Sequence, residues 1–166
     1  MRNLVLLALG MAASLVASAA FASDVKVSGV HNCCPSCANG IQTALKDAGA
    51  TNIQLTGTEV SFTTDDTQKA VTALYEAGFA VKQLPEGTKA PATGARGVSG
   101  KEIKLEKVHN CCGKCTAAIN EALKDVGKTN ATAKVTSITV TSENEVQARV
   151  VVAALKKAGF NAYVVK

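Results

Sequence analysis

Two copies of the string His-Asn-Cys-Cys-x-x-Cys contain the residues of this chain that are best suited to chemistry. The copies span 31–37 and 109–115, and they hold all six cysteines and both histidines. Thiolate sulfur and imidazole nitrogen are ligands for soft ions such as copper(I) and zinc. The sequence therefore predicts a soft-metal site that is built twice. Its candidate ligands are His31, Cys33, Cys34 and Cys37 in the first copy and His109, Cys111, Cys112 and Cys115 in the second.

The Cys-x-x-Cys spacing explains how thiolates could form near neutral pH. Each pair directly precedes a helical pattern of apolar residues, so we expect it at a helix N-terminus. Free backbone N–H groups and the positive end of the helix dipole lower a thiol pKa there. Pro35 fits the first turn of such a helix. The second copy has Lys114 where the first has Ser36, which predicts two sites of different affinity or reactivity.

The number of ligands in each site stays open between two, three and four. Three sulfurs and one imidazole make a complete tetrahedral zinc set. Side chains alternate in an extended segment, so His31 and Cys33 share a face while Cys33 and Cys34 tend to diverge. We rank two thiolates first, three thiolates second, and three thiolates with histidine last. A solvated loop histidine is an equally good interpretation of His31 and His109.

A disulfide framework is the structural alternative for six cysteines in an oxidising compartment. We disfavour it because the cysteines cluster locally. A bond between Cys34 and Cys37 would close a very short loop, and the stabilisation from a disulfide grows with loop length. Reversible oxidation of these thiols is compatible with metal binding.

The first 22 residues have the pattern of a secretory signal peptide. Arg2 precedes an apolar stretch that ends near Ala20, and residues 20–22 form an A-x-A cleavage signal. A membrane-spanning helix competes with this interpretation, but the small residues of the second half and the cleavage signal argue against it. We expect a periplasmic or secreted protein without membrane insertion after cleavage.

Charge and composition argue against several function classes. The formal net charge is +5 and only 4% of residues are aromatic. The lysines are spread along the chain without a basic run, so nucleic-acid binding is not expected. The sequence shows no Gly-rich phosphate loop, His–carboxylate pair or recognisable Ser nucleophile. We therefore predict that the protein is not an enzyme.

An internal duplication extends beyond the cysteine motifs. Residues 30–49 align with residues 108–127, and the Ala-Gly-Phe of 77–79 recurs at 158–160. Residues 85–100 are rich in Gly, Pro, Ala and Thr, which is typical of a linker. The predicted division is a signal peptide at 1–22, a first domain at 23–84, a flexible linker at 85–101 and a second domain at 102–166.

Apolar periodicity predicts the same order of elements in both repeats. In the first, we expect a strand at 25–29, a helix over 41–48, a hairpin around Gly57, a second helix over 71–75 and a last strand at 79–81. In the second, we expect strands with Ile103, Leu105, Ile138, Val140 and 163–165, a helix with Ile119 and Leu123, and a helix with Val146, Val150 and Ala154. The order βαββαβ, found twice, predicts an α+β fold of two tandem ferredoxin-like domains, each an antiparallel sheet with two helices on one face.

Each repeat resembles the heavy-metal-associated domain of periplasmic mercury-binding proteins, copper chaperones and metal-exporting P-type ATPases. That family has the βαββαβ fold, a Gly-Met-Thr/His-Cys-x-x-Cys loop before the first helix, and Ala-Gly-Tyr/Phe before the last strand. The resemblance implies that the metal thiolates are Cys34 and Cys37, and Cys112 and Cys115. It also implies ligand exchange with a metal-transporting membrane protein or another metal-binding domain.

The loops depart from the family pattern at three positions. The family's Gly, Met and Thr/His are His31, Asn32 and Cys33 in the first repeat and His109, Asn110 and Cys111 in the second. These loops are therefore richer in ligands than the family's two-coordinate copper(I) loop, and more polar where the family buries Met. We expect Phe79 and Phe160 to be core aromatic residues that also shield the site.

Together these observations predict an exported protein that captures, buffers or transfers a thiophilic ion, with copper(I) or zinc favoured and mercury(II) also a candidate. A thiol–disulfide redox protein is the alternative, because Cys-x-x-Cys at a helix N-terminus also serves redox chemistry. The repeats are too short for a thioredoxin fold, and the chain has no Trp. A third interpretation is a protein-binding module in which metal is only structural, and such a fold would be lost on chelation.

Overall fold

The computed structural model describes residues 22–165. These residues form four helices and two antiparallel sheets, a mixed α/β arrangement. The predicted signal peptide lies outside the described residues except for Ala22. None of the helices in the described range is long and apolar enough to cross a bilayer.

The first half of the chain contains three strands and two helices. They are β1 (Ser23–Val27), α1 (Pro35–Asp47), β2 (Thr51–Thr56), β3 (Glu59–Thr64) and α2 (Thr67–Glu76). The sheet order is β1-β3-β2. Val25 and Val27 of β1 and Val60 and Phe62 of β3 are buried, and their neighbours along each strand are more exposed. This period of two gives the sheet one apolar face, on which the helices pack.

The predicted last strand of the first half, at 79–81, is not formed in the described structure. Phe79 makes a single antiparallel bridge with Phe160 of the second half. The Ala80 N–H donates to the Gly159 carbonyl at 2.9 Å, and the Lys82 N–H donates to Ser28 at 2.8 Å. The backbone of this segment is thus divided between the two halves, which prevents a regular ladder along β1.

The second half follows the predicted order of strands and helices. Its elements are β4 (Ser99–Glu106), α3 (Gly113–Leu123), β5 (Lys128–Thr129), β6 (Ile138–Gln147), α4 (Ala148–Lys157) and β7 (Tyr163–Val164). The sheet order is β5-β6-β4-β7, so the first strand lies at its centre. Ile103, Leu105, Ile138 and Val140 are buried in its core, as their alternation predicted.

The predicted apolar face of the last helix was wrong. Val146 lies in β6, and Val150 is 45% exposed. The buried residues of α4 are Ala148, Val151, Val152 and Leu155. These residues follow the i, i+3, i+4, i+7 pattern of a core-facing stripe. A spacing of four residues alone selected the neighbouring stripe, in which Val150 is exposed and Ala154 is only partly buried.

The segment predicted to be a flexible linker is attached to both halves. The Gln68 side chain exchanges two hydrogen bonds with the backbone of Lys89, at 2.9 and 2.8 Å. The Val164 N–H donates to the Thr93 carbonyl at 2.8 Å, and Ala95 is buried. Strand β4 begins at Ser99, inside the predicted linker. The segment differs from a flexible chain because its backbone groups find partners in both halves.

Candidate metal centre

Each cysteine motif lies at the start of a helix, as its spacing predicted. Cys34 is the residue before α1, and Cys112 is the residue before α3, both with extended backbone. Cys37 and Cys115 follow in the first helical turn and are fully buried. The Cys-x-x-Cys geometry thus places one sulfur at the helix end and the other against the core.

A close backbone contact brings the two loops together. The Asn161 N–H donates to the Gly78 carbonyl at 2.9 Å, and the His31 N–H donates to the Gly159 carbonyl at 3.3 Å. Gly78 and Gly159 have φ angles of +85° and +83°. A Cβ atom at Gly78 would overlap the backbone of His109, and one at Gly159 would overlap the backbone of His31. Only glycine satisfies both the φ angle and this approach.

Each histidine packs against the phenylalanine of the other half. The ring centroids of His31 and Phe160 are 4.1 Å apart, and those of Phe79 and His109 are 4.2 Å apart. Both phenylalanines are fully buried. Phe79 and Phe160 are therefore core residues beside the site, and each covers the histidine of the opposite loop.

All six cysteines lie in the described range, all are free, and their sulfurs form one cluster. Ten Sγ–Sγ pairs are 3.5–4.0 Å apart, and six of these pairs join the two halves. The repeated motif predicts a site built twice but leaves open whether the two copies bind separately or share an ion, and the structure brings them into one centre. Cys33 and Cys34 were expected to diverge, but both sulfurs join the cluster, because each reaches a cysteine of the opposite loop.

The contacts within this cluster have the pattern of an octahedron of sulfurs. Six sulfurs make fifteen pairs, of which two join neighbours in the chain. Of the other pairs, only three are not in contact, and no cysteine belongs to more than one of these three. The opposite corners are Cys33 and Cys111, Cys34 and Cys115, and Cys37 and Cys112. The edge between Cys37 and Cys115 is consequently opposite the edge between Cys34 and Cys112. We call the six sulfurs the cysteine cage.

Three groups of side chains have their donor atoms close enough to hold an ion. Within each group, all ligand atoms lie within 4.8 Å of one another. The groups are His31 with Cys33, Cys37 and Cys115; His109 with Cys37, Cys111 and Cys115; and Cys33 with Cys34 and Cys112. Every group combines residues of both loops. All eight candidate ligands predicted from the sequence are included.

The environment shifts the pKa of four cysteines of the cage, two upward and two downward. Burial raises the pKa of the Cys33 and Cys111 thiols, and contacts with neighbouring thiols raise the pKa further. The backbone N–H of Cys37 lowers the pKa of Cys34, and that of Cys115 lowers the pKa of Cys112. This is the effect predicted for a helix N-terminus. The metal-free cage can hold thiolate at Cys34 and Cys112 while the Cys33 and Cys111 thiols stay protonated.

The two imidazoles are neutral groups with an unused ring nitrogen. Burial lowers the pKa of His31, and burial together with the charge of His31 lowers the pKa of His109 to about 4. Nε2 of His31 and Nε2 of His109 are buried and have no hydrogen-bond partner among the described residues. A buried polar atom without a partner is costly, so each nitrogen is suited to binding a ligand.

Sequence reasoning missed the residues that hold the two loops together. Gly78 and Gly159 belong to the repeated Ala-Gly-Phe, which was the available signal. Asn161 is also buried, and its Nδ2 donates to the Tyr75 carbonyl of the other half at 3.0 Å. Comparison with known proteins gave no match to a family model, to a curated protein or to a solved structure.

Proposed function

We propose that this protein is an exported soft-metal-binding protein that captures, buffers or transfers a thiophilic ion through its two HNCCxxC loops. Copper(I), zinc and mercury(II) are the ions that its ligands suit. One observation carries the proposal: six free cysteine sulfurs from two distant segments lie in mutual contact. Thiolates at such distances repel one another, and a thiophilic cation relieves this repulsion.

The surroundings of the cage support exchange of the ion with a partner. Cys34 and Cys112 are only half-buried, and exposed residues follow them, Pro35 and Ser36 in one loop and Gly113 and Lys114 in the other. An approaching thiolate of another Cys-x-x-Cys loop could therefore reach this edge of the cage. A metal-transporting membrane protein or a second metal-binding domain would fit this role.

The fold and the location belong to the same proposal. The strand order β5-β6-β4-β7 with two helices supports a ferredoxin-like second domain, and the repeated cysteine loop supports a tandem heavy-metal-associated protein. The proposed domains are residues 23–84 and 102–166. The signal pattern of residues 1–22 supports a periplasmic or secreted location, and we assign the protein no enzymatic reaction.

Thiol–disulfide exchange is the second candidate function. The Sγ atoms of Cys34 and Cys37 are 3.6 Å apart, and the pKa of Cys34 is lowered. A low-pKa cysteine beside a second thiol is the arrangement of redox pairs. The other cysteines of the cage would compete for the same mixed disulfide, so we place this function second.

Titration of the reduced protein under argon tests the proposal. Protein made from the complete chain is mixed with copper(I) or zinc in the presence of competing chelators, and metal per chain is measured. We expect tight uptake that falls in both the Cys34→Ser/Cys37→Ser and the Cys112→Ser/Cys115→Ser variants. Ser36→Ala, which changes a loop residue outside the ligand groups, serves as the control. Absence of uptake stronger than that of the chelators would reject metal binding and favour thiol–disulfide exchange.

A further inference from the structure

We propose that the cysteine cage holds two divalent ions of the zinc class in one dinuclear centre, with Cys37 and Cys115 bridging both ions. Cys33 and His31 complete the ligands of one ion, and Cys111 and His109 complete those of the other. This inference rests on the proposed function and specifies the site at which it occurs.

The sulfur distances support two tetrahedral sites that share an edge. The Cys33, Cys37 and Cys115 sulfurs form a triangle with sides of 3.7, 3.7 and 3.6 Å. The Cys111, Cys37 and Cys115 triangle has three sides of 3.6 Å. A tetrahedral zinc ion with Zn–S bonds of about 2.3 Å places its sulfurs about 3.8 Å apart. Both triangles therefore approach the geometry that such an ion needs, and they share the Cys37–Cys115 edge.

The histidines lie where each triangle needs its fourth ligand. A ring nitrogen of His31 is within 4.8 Å of all three sulfurs of the first triangle, and His109 has the same relation to the second. A Zn–N bond of about 2.0–2.1 Å would place the nitrogen about 3.5 Å from each sulfur, so a ring shift on the order of 1 Å is enough. The buried, unpartnered Nε2 atoms of both rings are independent evidence for a missing partner there.

Charge favours a pair of divalent ions over a pair of monovalent ions. Four thiolates and two neutral imidazoles carry a charge of about −4, which two divalent ions neutralise. Cys37 and Cys115 are fully buried, and net charge at such a position is costly. Two copper(I) ions in the same ligands would leave about two uncompensated negative charges. The interior of the cage is thus suited to zinc, cadmium or cobalt(II).

Cys34 and Cys112 have a different role in this centre. Their sulfurs are 3.7 Å apart, at the edge of the cage opposite the bridging pair. Both are half-buried at the helix starts. They would receive an incoming ion before it reaches the inner ligands, and they are not needed to hold the final pair.

Native mass spectrometry of the reduced full chain titrated with zinc or cadmium tests this arrangement. We expect two ions per chain in the wild type. Cys37→Ser and Cys115→Ser should each impair both ions, because each removes a bridge. Ser36→Ala, outside the ligand groups, is the control and should keep two ions at the wild-type rate. Cys34→Ser/Cys112→Ser tests the entry role and should load more slowly, to two ions. His31→Gln and His109→Gln should each weaken one ion.

Cobalt(II) gives a test that needs no variant. Two cobalt ions bridged by sulfur couple magnetically, so the electron paramagnetic resonance signal per chain should be smaller with two ions bound than with one. Uncoupled ions, one ion per chain, or about four ions per chain would overturn the dinuclear centre. Retention of two tightly bound ions by a correctly folded Cys37→Ser chain would also overturn it. In all these cases metal binding itself would stand, whereas failure of zinc, cadmium, cobalt and copper(I) alike to bind would reject the proposed function.

Discussion

The two cysteine loops share the sequence His-Asn-Cys-Cys but are supported differently. Asn110 of the second loop is 2% exposed, and its Nδ2 donates to the carbonyls of Thr132 and Val135 at 2.8 and 3.3 Å. Its Oδ1 accepts a hydrogen bond from Thr116 at 2.9 Å. Asn32 of the first loop is half-buried and makes one side-chain hydrogen bond, from Nδ2 to the Gly57 carbonyl at 2.9 Å.

The connection between the middle strands of each half explains this difference. In the first half, β2 and β3 are joined by the short turn at 57–58, which offers one carbonyl to Asn32. In the second half, residues 130–137 form a longer connection that surrounds Asn110, and the Lys134 N–H donates back to the Asn110 carbonyl at 2.7 Å. The same motif is thus held firmly in one half and loosely in the other. The support comes from a segment outside the motif.

Breaking the contact that both loops share should have the largest effect. Gly78→Ala and Gly159→Ala each place a Cβ atom against the backbone of the opposite loop, which cannot move aside. We expect each to lower the free energy of unfolding by about 3 kcal/mol or more, from the positive φ and the overlap together. We also expect both to reduce metal uptake by separating the halves. Chemical denaturation and metal titration measure these effects.

Gly49→Ala is the matched control for these variants. Gly49 also has a positive φ, of +91°, but a Cβ atom there would meet no atom of the described residues within 4 Å. It should cost only about 1–2 kcal/mol, from the backbone conformation alone, and leave metal uptake intact. Equal losses in Gly49→Ala and Gly78→Ala would show that the contact between the halves contributes little.

Removing the asparagine side chains sharpens the comparison of the two loops. Asn110→Ala removes three hydrogen bonds of a buried side chain, so we expect a loss of about 2–3 kcal/mol in the free energy of unfolding. Asn32→Ala removes one partly exposed hydrogen bond and should cost about 1 kcal/mol or less. Urea denaturation of the reduced, metal-free protein measures both. A larger loss for Asn32→Ala would reverse our interpretation of which loop is firmly held.

Much of the local structure could be predicted from the sequence, because it depends on local periodicity. The helix with Ile41 and Leu45 and that with Ile119 and Leu123 begin directly after the first cysteine of their Cys-x-x-Cys pairs, so each pair lies at a helix N-terminus, as expected. The predicted apolar face of α4 through Val150 was wrong, because a spacing of four residues fits two neighbouring faces of the same helix. The predicted strand at 79–81 does not form because its backbone pairs with the other half, and local periodicity contains no information about pairing between distant segments.

The candidate ligands could also be predicted, since all eight belong to the repeated motif. Their assembly into one centre could not. It depends on contacts such as that between Cys37 and Cys115, at 3.6 Å, which join residues far apart in the chain. This contact also requires the close approach of the two backbones at Gly78 and Gly159, which exists only once the two halves have packed together.

The two histidines should contribute unequally to the dependence of stability on pH. Burial lowers the pKa of both in the folded state, to about 4 for His109, while the unfolded chain keeps a value near 6.5. Between these values the unfolded state binds more protons, so the free energy of unfolding should fall as the pH decreases from about 6.5 toward 4. We expect His109→Gln to remove more of this decrease than His31→Gln. Denaturation of the reduced, metal-free protein at several pH values measures it, and an equal contribution from both rings would contradict the assignment.

The smallest expected effect concerns a surface contact between the halves that has no counterpart at the aligned positions of the repeats. Glu76 of the first half pairs with Lys107 at 2.5 Å and accepts a hydrogen bond from the Tyr163 hydroxyl at 2.6 Å. The residues that align with Glu76 and Lys107 in the other repeat are Lys157 and Gly29, which cannot form such a pair. Lys107 and Tyr163 lower the pKa of Glu76, so its stabilising contribution should be lost as the pH falls through that lowered value. Glu76→Gln should therefore reduce stability slightly at neutral pH and low salt, and added salt should abolish the difference because the pair is exposed. If Glu76→Gln still lowers stability in high salt, the hydrogen bond from Tyr163, rather than the charge of Lys107, is the main stabilising interaction of Glu76.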